Sequence, residues 1–303
     1  LFSPAQSLSV KKSTALILVL LFLVFSTLYF NAPAAAQKDK QAQPAAPLMT
    51  RTTTGHDSRR LGFGGAVSIV GAPAGSITIE GWQRSEVEVN TEVELHASSV
   101  AELDRLARIN GFAIDEDANH IRILTTGTHD KKYLKRVAKD LPKSLIGLPW
   151  KVDYHIKVPV MTDLAIDAGN GPIKISGVEG SIRINALESV ADLSLTGSDL
   201  SVLIQKGVVN FAIPARSWHG LRAEIRVASG NLNLDLMPGF NGDINAEILR
   251  VGEIKSLFPN LEPRERNSIT PHSVKARAGS GGAVLTLTVG DGTIQIGSPG
   301  AKQ

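Results

Sequence analysis

The sequence predicts an all-β protein, and three observations carry that prediction. Apolar and polar residues alternate over many short segments: Val87, Val89, Thr91, Val93 and Leu95 are interleaved with Glu86, Glu88, Asn90, Glu92 and Glu94. In a strand this spacing puts the apolar side chains on one face and the charges on the other. The segments are bounded by Gly, Asn, Asp or Ser, residues that supply turns. Aromatic residues make up only 5% of the chain against 43% hydrophobic residues in all, so the core is built from Ile, Leu and Val. Such a core suits short strands stacked on one another, each burying its apolar side chains against its neighbours.

The N-terminus reads as an export signal. Lys11 and Lys12 precede an uncharged run from Ser13 to Phe30, which is followed by Asn31-Ala32-Pro33-Ala34-Ala35-Ala36. A basic region, an apolar stretch and a small-x-small site make a secretory signal peptide over 1–36, cleaved after Ala36. The alternative is an uncleaved membrane anchor, because residues 13–30 are just long enough to span a bilayer. Cleavage implies export to the periplasm, the cell envelope or the medium, and the alternative implies anchoring in the inner membrane by 13–30. Residues 37–60 are polar and lack apolar periodicity, and read as a flexible spacer. A strand-rich domain covers 61–297, and 298–303 is a tail.

Within the domain, Val152, Tyr154, Ile156 and Val158 alternate with Lys151, Asp153, His155 and Lys157. Shorter alternations recur at Ile121/Ile123, Ile182/Ile184, Leu193/Leu195 and Leu285/Leu287/Val289. One helix interrupts them. Ser99-Val100-Ala101-Glu102 is a capping box, Leu103, Leu106 and Ile109 follow at helical spacing, and Asn110-Gly111 ends the helix. A second, weaker helical pattern covers 131–139.

A repeat runs through the domain. Gly169-Asn170-Gly171-Pro172-Ile173-Lys174-Ile175 is similar to Ser229-Gly230-Asn231-Leu232-Asn233-Leu234 and to Gly290-Asp291-Gly292-Thr293-Ile294-Gln295-Ile296. Gly75-Ser76-Ile77-Thr78-Ile79 is a degenerate copy. Each reads as a tight turn leading into a short strand, and from 169 to 213 such strands recur about every ten residues. That spacing fits a solenoid of stacked coils, with a β-sandwich as the alternative.

These copies, with Asp153-Tyr154-His155-Ile156-Lys157-Val158-Pro159, Gly177-Val178-Glu179-Gly180 and Asn241-Gly242-Asp243-Ile244, make the region 61–297 resemble the bacterial putative-adhesin family of β-strand repeat proteins. The resemblance implies a right-handed β-helix-like stack and an exported location. Its motifs are structural and imply no catalytic residue. The stretch from Thr128 to Leu148, with six basic residues, looks like an insertion relative to the family pattern.

Composition narrows the chemistry. Lys+Arg number 32 against Asp+Glu 29, which is nearly neutral and argues against nucleic acid. There are no cysteines, hence no disulfides, thiolate metal site or cysteine nucleophile. The seven histidines (His56, His96, His120, His129, His155, His219, His272) fall in no metal-ligand spacing, and alternation puts His155 on the solvent side of its strand. Asp115-Glu116-Asp117-Ala118-Asn119 opens like an EF-hand loop but has His120 where Gly is needed and Thr126 where Glu is needed, so it reads as a hairpin turn. The glycine clusters Gly62-Phe63-Gly64-Gly65 and Gly279-Ser280-Gly281-Gly282 open no helix and read as turns, not phosphate loops.

No cofactor, metal, catalytic or defined binding residue is therefore assigned. The function expected is a non-catalytic, adhesin-like or scaffold protein whose partner is an envelope protein or a glycan. Two alternatives stand beside it. One is a polysaccharide-acting β-helix enzyme, for which Asp163, Asp167 and Asp192 are candidate stacked carboxylates. The other is an envelope sensor or anchor protein held by 13–30. The basic segment 131–143, where Lys131, Lys132, Lys135, Arg136, Lys139 and Lys143 surround Tyr133, Leu134, Val137 and Leu141, is a candidate for weak contact with a membrane surface.

Overall fold

The computed structural model describes residues 48–137, 141–266 and 268–298. The signal or anchor segment expected over 1–36 lies outside them, as do Ala138, Lys139 and the tail beyond Ser298. Among the described residues no helix is long and apolar enough to cross a membrane.

The protein is all-β: among the described residues sixteen strands join in one sheet that does not close on itself. In chain order these are β1 (Met49–Arg60), β2 (Ala66–Ala74), β3 (Ile77–Trp82), β4 (Glu86–Ala97), β5 (Gly111–Asp117), β6 (His120–Thr126), β7 (Trp150–Pro159), β8 (Asp163–Asn170), β9 (Ile173–Ser176), β10 (Ile182–Ser194), β11 (Asp199–Ile213), β12 (Arg222–Leu236), β13 (Gly242–Ser256), β14 (Leu261–Pro263), β15 (Ser273–Ala278) and β16 (Val284–Gly297). Among the described residues three short helices, α1 (Val100–Ala107), α2 (Lys131–Val137) and α3 (Lys143–Ile146), lie between strands.

The long strands pair in parallel and in register: Leu164 with Ile182, Ile182 with Leu200, Leu200 with Ala223. The first two steps are 18 residues and the third 23. Burial within β11, β12 and β16 skips a beat at the middle. In β11 Leu200, Val202 and Ile204 are buried, then Val209, Phe211 and Ile213. In β12 Ala223, Ile225 and Val227 give way to Leu232, Leu234 and Leu236, and in β16 Leu287 and Val289 to Ile294 and Ile296. An uninterrupted strand alternates faces without a break. A gap of five therefore turns the second half over, so that both arms of β11, β12 and β16 send apolar side chains into one core cluster.

Glycine makes that turn. Gly207, Gly230, Gly292 and Gly252 all have φ near +140° (143°, 138°, 141°, 140°), a region closed to residues with a Cβ. They form a column, in which a Cβ on Gly230 would lie 1.8 Å from the Gly207 carbonyl oxygen and one on Gly292 would lie 1.7 Å from that of Gly230. Gly75 and Gly171 continue it on the β2/β3 and β8/β9 strands, and Ser189 occupies the place in β10. The four repeat copies in the sequence are thus four creases. The glycine expected in a tight turn between strands bends a single strand in β12 and β16.

The creased sheet has two arms. The second-arm path runs β1-β4-β7-β3-β9-β10-β11-β12-β16-β13. The first arm runs β5-β6-β2-β8-β10 and onward through the same long strands to β13, β15 and β14. The final strand β16 is inserted between β12 and β13. Residues 127–149 occupy the place of the crease between β6 and β7, so the basic stretch is an insertion at a corner. The ends are covered. The Phe112 ring of β5 meets Tyr154 edge-on at 6.2 Å. At the other end the β13 amides of Ile248 and Ile254 donate to His272 and Pro271 carbonyls, which blunts an exposed edge.

Local expectations met the structure unevenly. Helix α1 starts where its cap predicts: the Ser99 hydroxyl accepts from the Glu102 amide at 3.3 Å. The Glu102 carboxylate reaches back one residue further than a standard box, to the Ser98 amide at 3.0 Å. The acidic stretch 115–119 is a hairpin, with Asp117 paired to His120. The spacer expected over 37–60 is corrected from Met49 onward, because that segment is strand β1, paired antiparallel along its length with β4. Its side chains are polar or exposed on both faces, so alternation left no trace to read.

The glycine column sets a stability test. Gly230→Ala is expected to lower unfolding free energy by about 3 kcal/mol or more, because strain and main-chain overlap combine. Gly239→Ala, at φ 78° with nothing within 4 Å of the added methyl, is expected to cost about 1–2 kcal/mol. Urea denaturation of both variants makes the comparison; equal losses would remove the column from the account.

Candidate functional site

Strict register carries the outward side chains of the second arm into rows. One row reads His56, Asn90, His155, Thr78, Lys174, Asp192, Asn210, Asn233, Gln295 and Lys255, one residue from each of the ten strands. At the usual strand spacing it is roughly 40 Å long. Every member is polar. Several are linked: Asn210 Nδ2 donates to Asp192 Oδ1 at 2.6 Å and Asn233 Nδ2 to Asn210 Oδ1 at 2.8 Å.

The row deepens at one end into an open groove of about 560 Å³ across β1, β4, β7 and β3. Thr54, Glu92, Asp153 and Ser76 line one side, and His56, Asn90, His155 and Thr78 the other. Between them Gly55, Thr91 and Tyr154 form the floor. Gly55, Thr91 and Tyr154 pair across neighbouring strands, so the floor is main chain.

Hydrogen bonds fix the walls. His56 Nδ1 lies 2.8 Å from Asn90 Oδ1, and Asn90 Nδ2 donates to Glu88 at 3.1 Å. Asp153 Oδ1 accepts from the Ser76 amide at 2.6 Å and hydroxyl at 2.7 Å. Lys151 Nζ sits 3.2 Å from both Asp153 and Glu94, and His96 lies 2.8 Å from Glu94. Partial burial alone would raise the Asp153 pKa, but the Ser76 bonds and Lys151 outweigh it and hold the carboxyl below its ordinary value. Glu92 stands directly opposite Asp153, an unfavourable pairing of like charges that Lys151 relieves. Below them Tyr154 is buried, its hydroxyl 2.8 Å from Thr125 Oγ1, and burial pushes its pKa up to about 12 against the lowering effect of that bond.

Chemically the groove offers hydroxyls, an amide, two imidazoles and two carboxylates at the surface, with little apolar wall. It suits directional hydrogen bonding to a polar ligand. Among the described residues no group of three or more His, Asp or Glu is placed to hold a metal.

The candidate carboxylates do not meet. Asp163 and Asp167 lie on the first arm and Asp192 on the second. Asp163 accepts from the Ser181 amide at 2.7 Å, Asp167 from Asn185 at 2.9 Å and Asp192 from Asn210. His155 is exposed, as alternation predicts. His129 stacks at 5.5 Å on Trp150, and burial lowers its pKa. Sequence reasoning missed the groove because His56 fell in the supposed spacer. Nothing in one dimension shows that residues 56, 90 and 155 share a row.

No family model and no curated protein matches the sequence. Among solved structures the chain is similar to a putative cell adhesion protein from Clostridium sporogenes, at 13% identity and a TM-score of 0.41, over 81% of this chain and 100% of that one. It is also similar to a putative adhesin from Bacteroides fragilis, at 10% identity and a TM-score of 0.31, over 80% and 97%. Likenesses this distant bear on neither ligand nor mechanism.

Two pH effects follow from the walls and floor. Because the Asp153 pKa is depressed in the folded state, its stabilisation is present above pH 3.8 and lost as pH falls below it. Asp153→Asn is expected to lose less stability than the parent between pH 4 and pH 2 in urea titrations. The raised Tyr154 pKa acts in the opposite direction, with stability lost as pH rises from 10 to about 12. Tyr154→Phe is expected to flatten that alkaline loss while costing about 1 kcal/mol at neutral pH, where Thr125 loses its partner.

Proposed function

We infer that the chain is an exported, non-catalytic, adhesin-like or scaffold protein of the cell envelope that binds an extended partner along the outward face of the second arm. The ten-strand polar row carries this reading. It presents evenly spaced donors and acceptors over a distance no small molecule spans, and the 560 Å³ groove at its end is continuous with it. A long polyhydroxylated chain or an extended envelope polymer can engage such a row one rung at a time. In this reading the creased sheet is a right-handed solenoid of stacked coils. The steps of 18, 18 and 23 residues and the glycine column support it, and parallel crossovers are right-handed in nearly all cases.

The test is calorimetry of the purified chain against soluble polysaccharides and peptidoglycan fragments of graded length. Affinity is expected to climb with ligand length until the row is spanned. Single changes such as Asn210→Ala are expected to cost less than tenfold. The combined His155→Ala, Asn210→Ala and Asn233→Ala variant is expected to abolish binding. A ligand bound fully by one short fragment, or turned over, would remove the reading.

A further inference from the structure

The insertion at 127–149 interrupts the row of glycine creases, and it concentrates basic residues. It carries six basic residues against two acidic ones. Asp130, one of the two, is consumed in capping α2: its Oδ1 accepts from the Lys132 amide at 2.8 Å and the Tyr133 amide at 3.1 Å. Lys131, Lys132, Lys135 and Arg136 of α2 are all exposed, as is Lys143 at the start of α3. Beside them Val137 is 52% and Ile146 40% exposed, while Leu145 anchors the segment in the core. Basic residues mixed with exposed apolar ones, on a segment pinned from behind, match the charge and polarity of a phospholipid headgroup layer.

The placement of β1 points the same way. Met49, the first residue of β1, pairs with Ala97 at the end of β4, and two residues back Leu95 pairs with Trp150 at the start of β7. The His96 amide donates to the Pro149 carbonyl at 3.3 Å. The polypeptide therefore reaches the domain beside the end of the insertion, with Leu48 and Met49 themselves 41% and 49% exposed. Upstream, the apolar run 13–30 is separated from Leu48 by a stretch that spans at most roughly 60 Å. A copy held in a bilayer by that run keeps the insertion within reach of the surface.

We propose that the corner insertion, through Lys131, Lys132, Lys135, Arg136 and Lys143 with Val137 and Ile146, is a docking surface for an anionic phospholipid bilayer. None of these residues belongs to the polar row. Attraction is long-ranged and screened by salt, and each basic side chain at the surface contributes separately.

The experiment is vesicle flotation of the chain from Gln37 onward, which contains the entire core from Leu61 to Ile296. Vesicles of phosphatidylcholine alone are compared with vesicles containing phosphatidylglycerol. Partitioning onto the anionic vesicles is expected to exceed that onto neutral ones by at least tenfold at low salt, and Lys132→Gln alone to lower it about fivefold. The combined Lys131→Gln, Lys132→Gln, Lys135→Gln and Arg136→Gln variant is expected to fall to the neutral level, while the four-residue Arg/Lys exchange retains binding. Because these side chains are exposed, thermal unfolding of the variants is expected to match the parent, which separates lost docking from lost fold. Equal binding to both vesicles would overturn the proposal. So would binding unchanged by the quadruple substitution, or capture of soluble polyphosphate without vesicle binding.

Discussion

The close approach of main chain to main chain at the glycine column governs everything else in the molecule. Each glycine lets its strand reverse the parity of its side chains without ending. The Cβ that any other residue would bring would meet the carbonyl of the neighbouring strand. Without that reversal the second half of β11 would turn Phe211 and Ile213 to solvent and Asn210 inward. Burying an Ile, Leu or Phe side chain is worth about 1.5–3 kcal/mol, so misplacing three or four on every long strand would leave no core. The crease is therefore a condition of the fold as well as a shape within it.

The same constraint writes the surface. Parallel strands creased at one place are locked in register, and registered strands put equivalent outward residues side by side. Where those residues are Asp192, Asn210 and Asn233, they join into a hydrogen-bonded ladder. Where the strands become antiparallel, at β1, β4 and β7, the row ends in a groove walled by His56, Asn90, Glu92, Asp153 and His155. Polar capacity is spread along a face instead of being gathered in a buried pocket.

Departures from regularity fall at a corner and at the ends of the sheet. The insertion 127–149 replaces a glycine corner with two short helices, and Phe112 plugs the end of the core against Tyr154. At the far end the chain leaves β13 exposed, returns antiparallel as β15, and slides β16 in between β12 and β13. The 270–272 loop then covers β13 amides that would otherwise offer a pairing edge.

Local physics was legible in the sequence. Period-2 alternation gave the strands, Ser99 with Glu102 gave the start of α1, and four similar glycine motifs marked four equivalent places. Those are properties of neighbours in the chain: side-chain spacing, a cap, a φ only glycine tolerates. Tertiary structure alone decided that the glycines are creases, because the carbonyls they pack against come from strands 18 to 96 residues away. It also decided that Met49–Arg60, polar on both faces, is an edge strand, since only the hydrogen-bonding edge of β4 makes it one. His56, Asn90 and His155 share a groove for the same reason: register is set between strands, by the core they jointly bury, and no single stretch of sequence contains it.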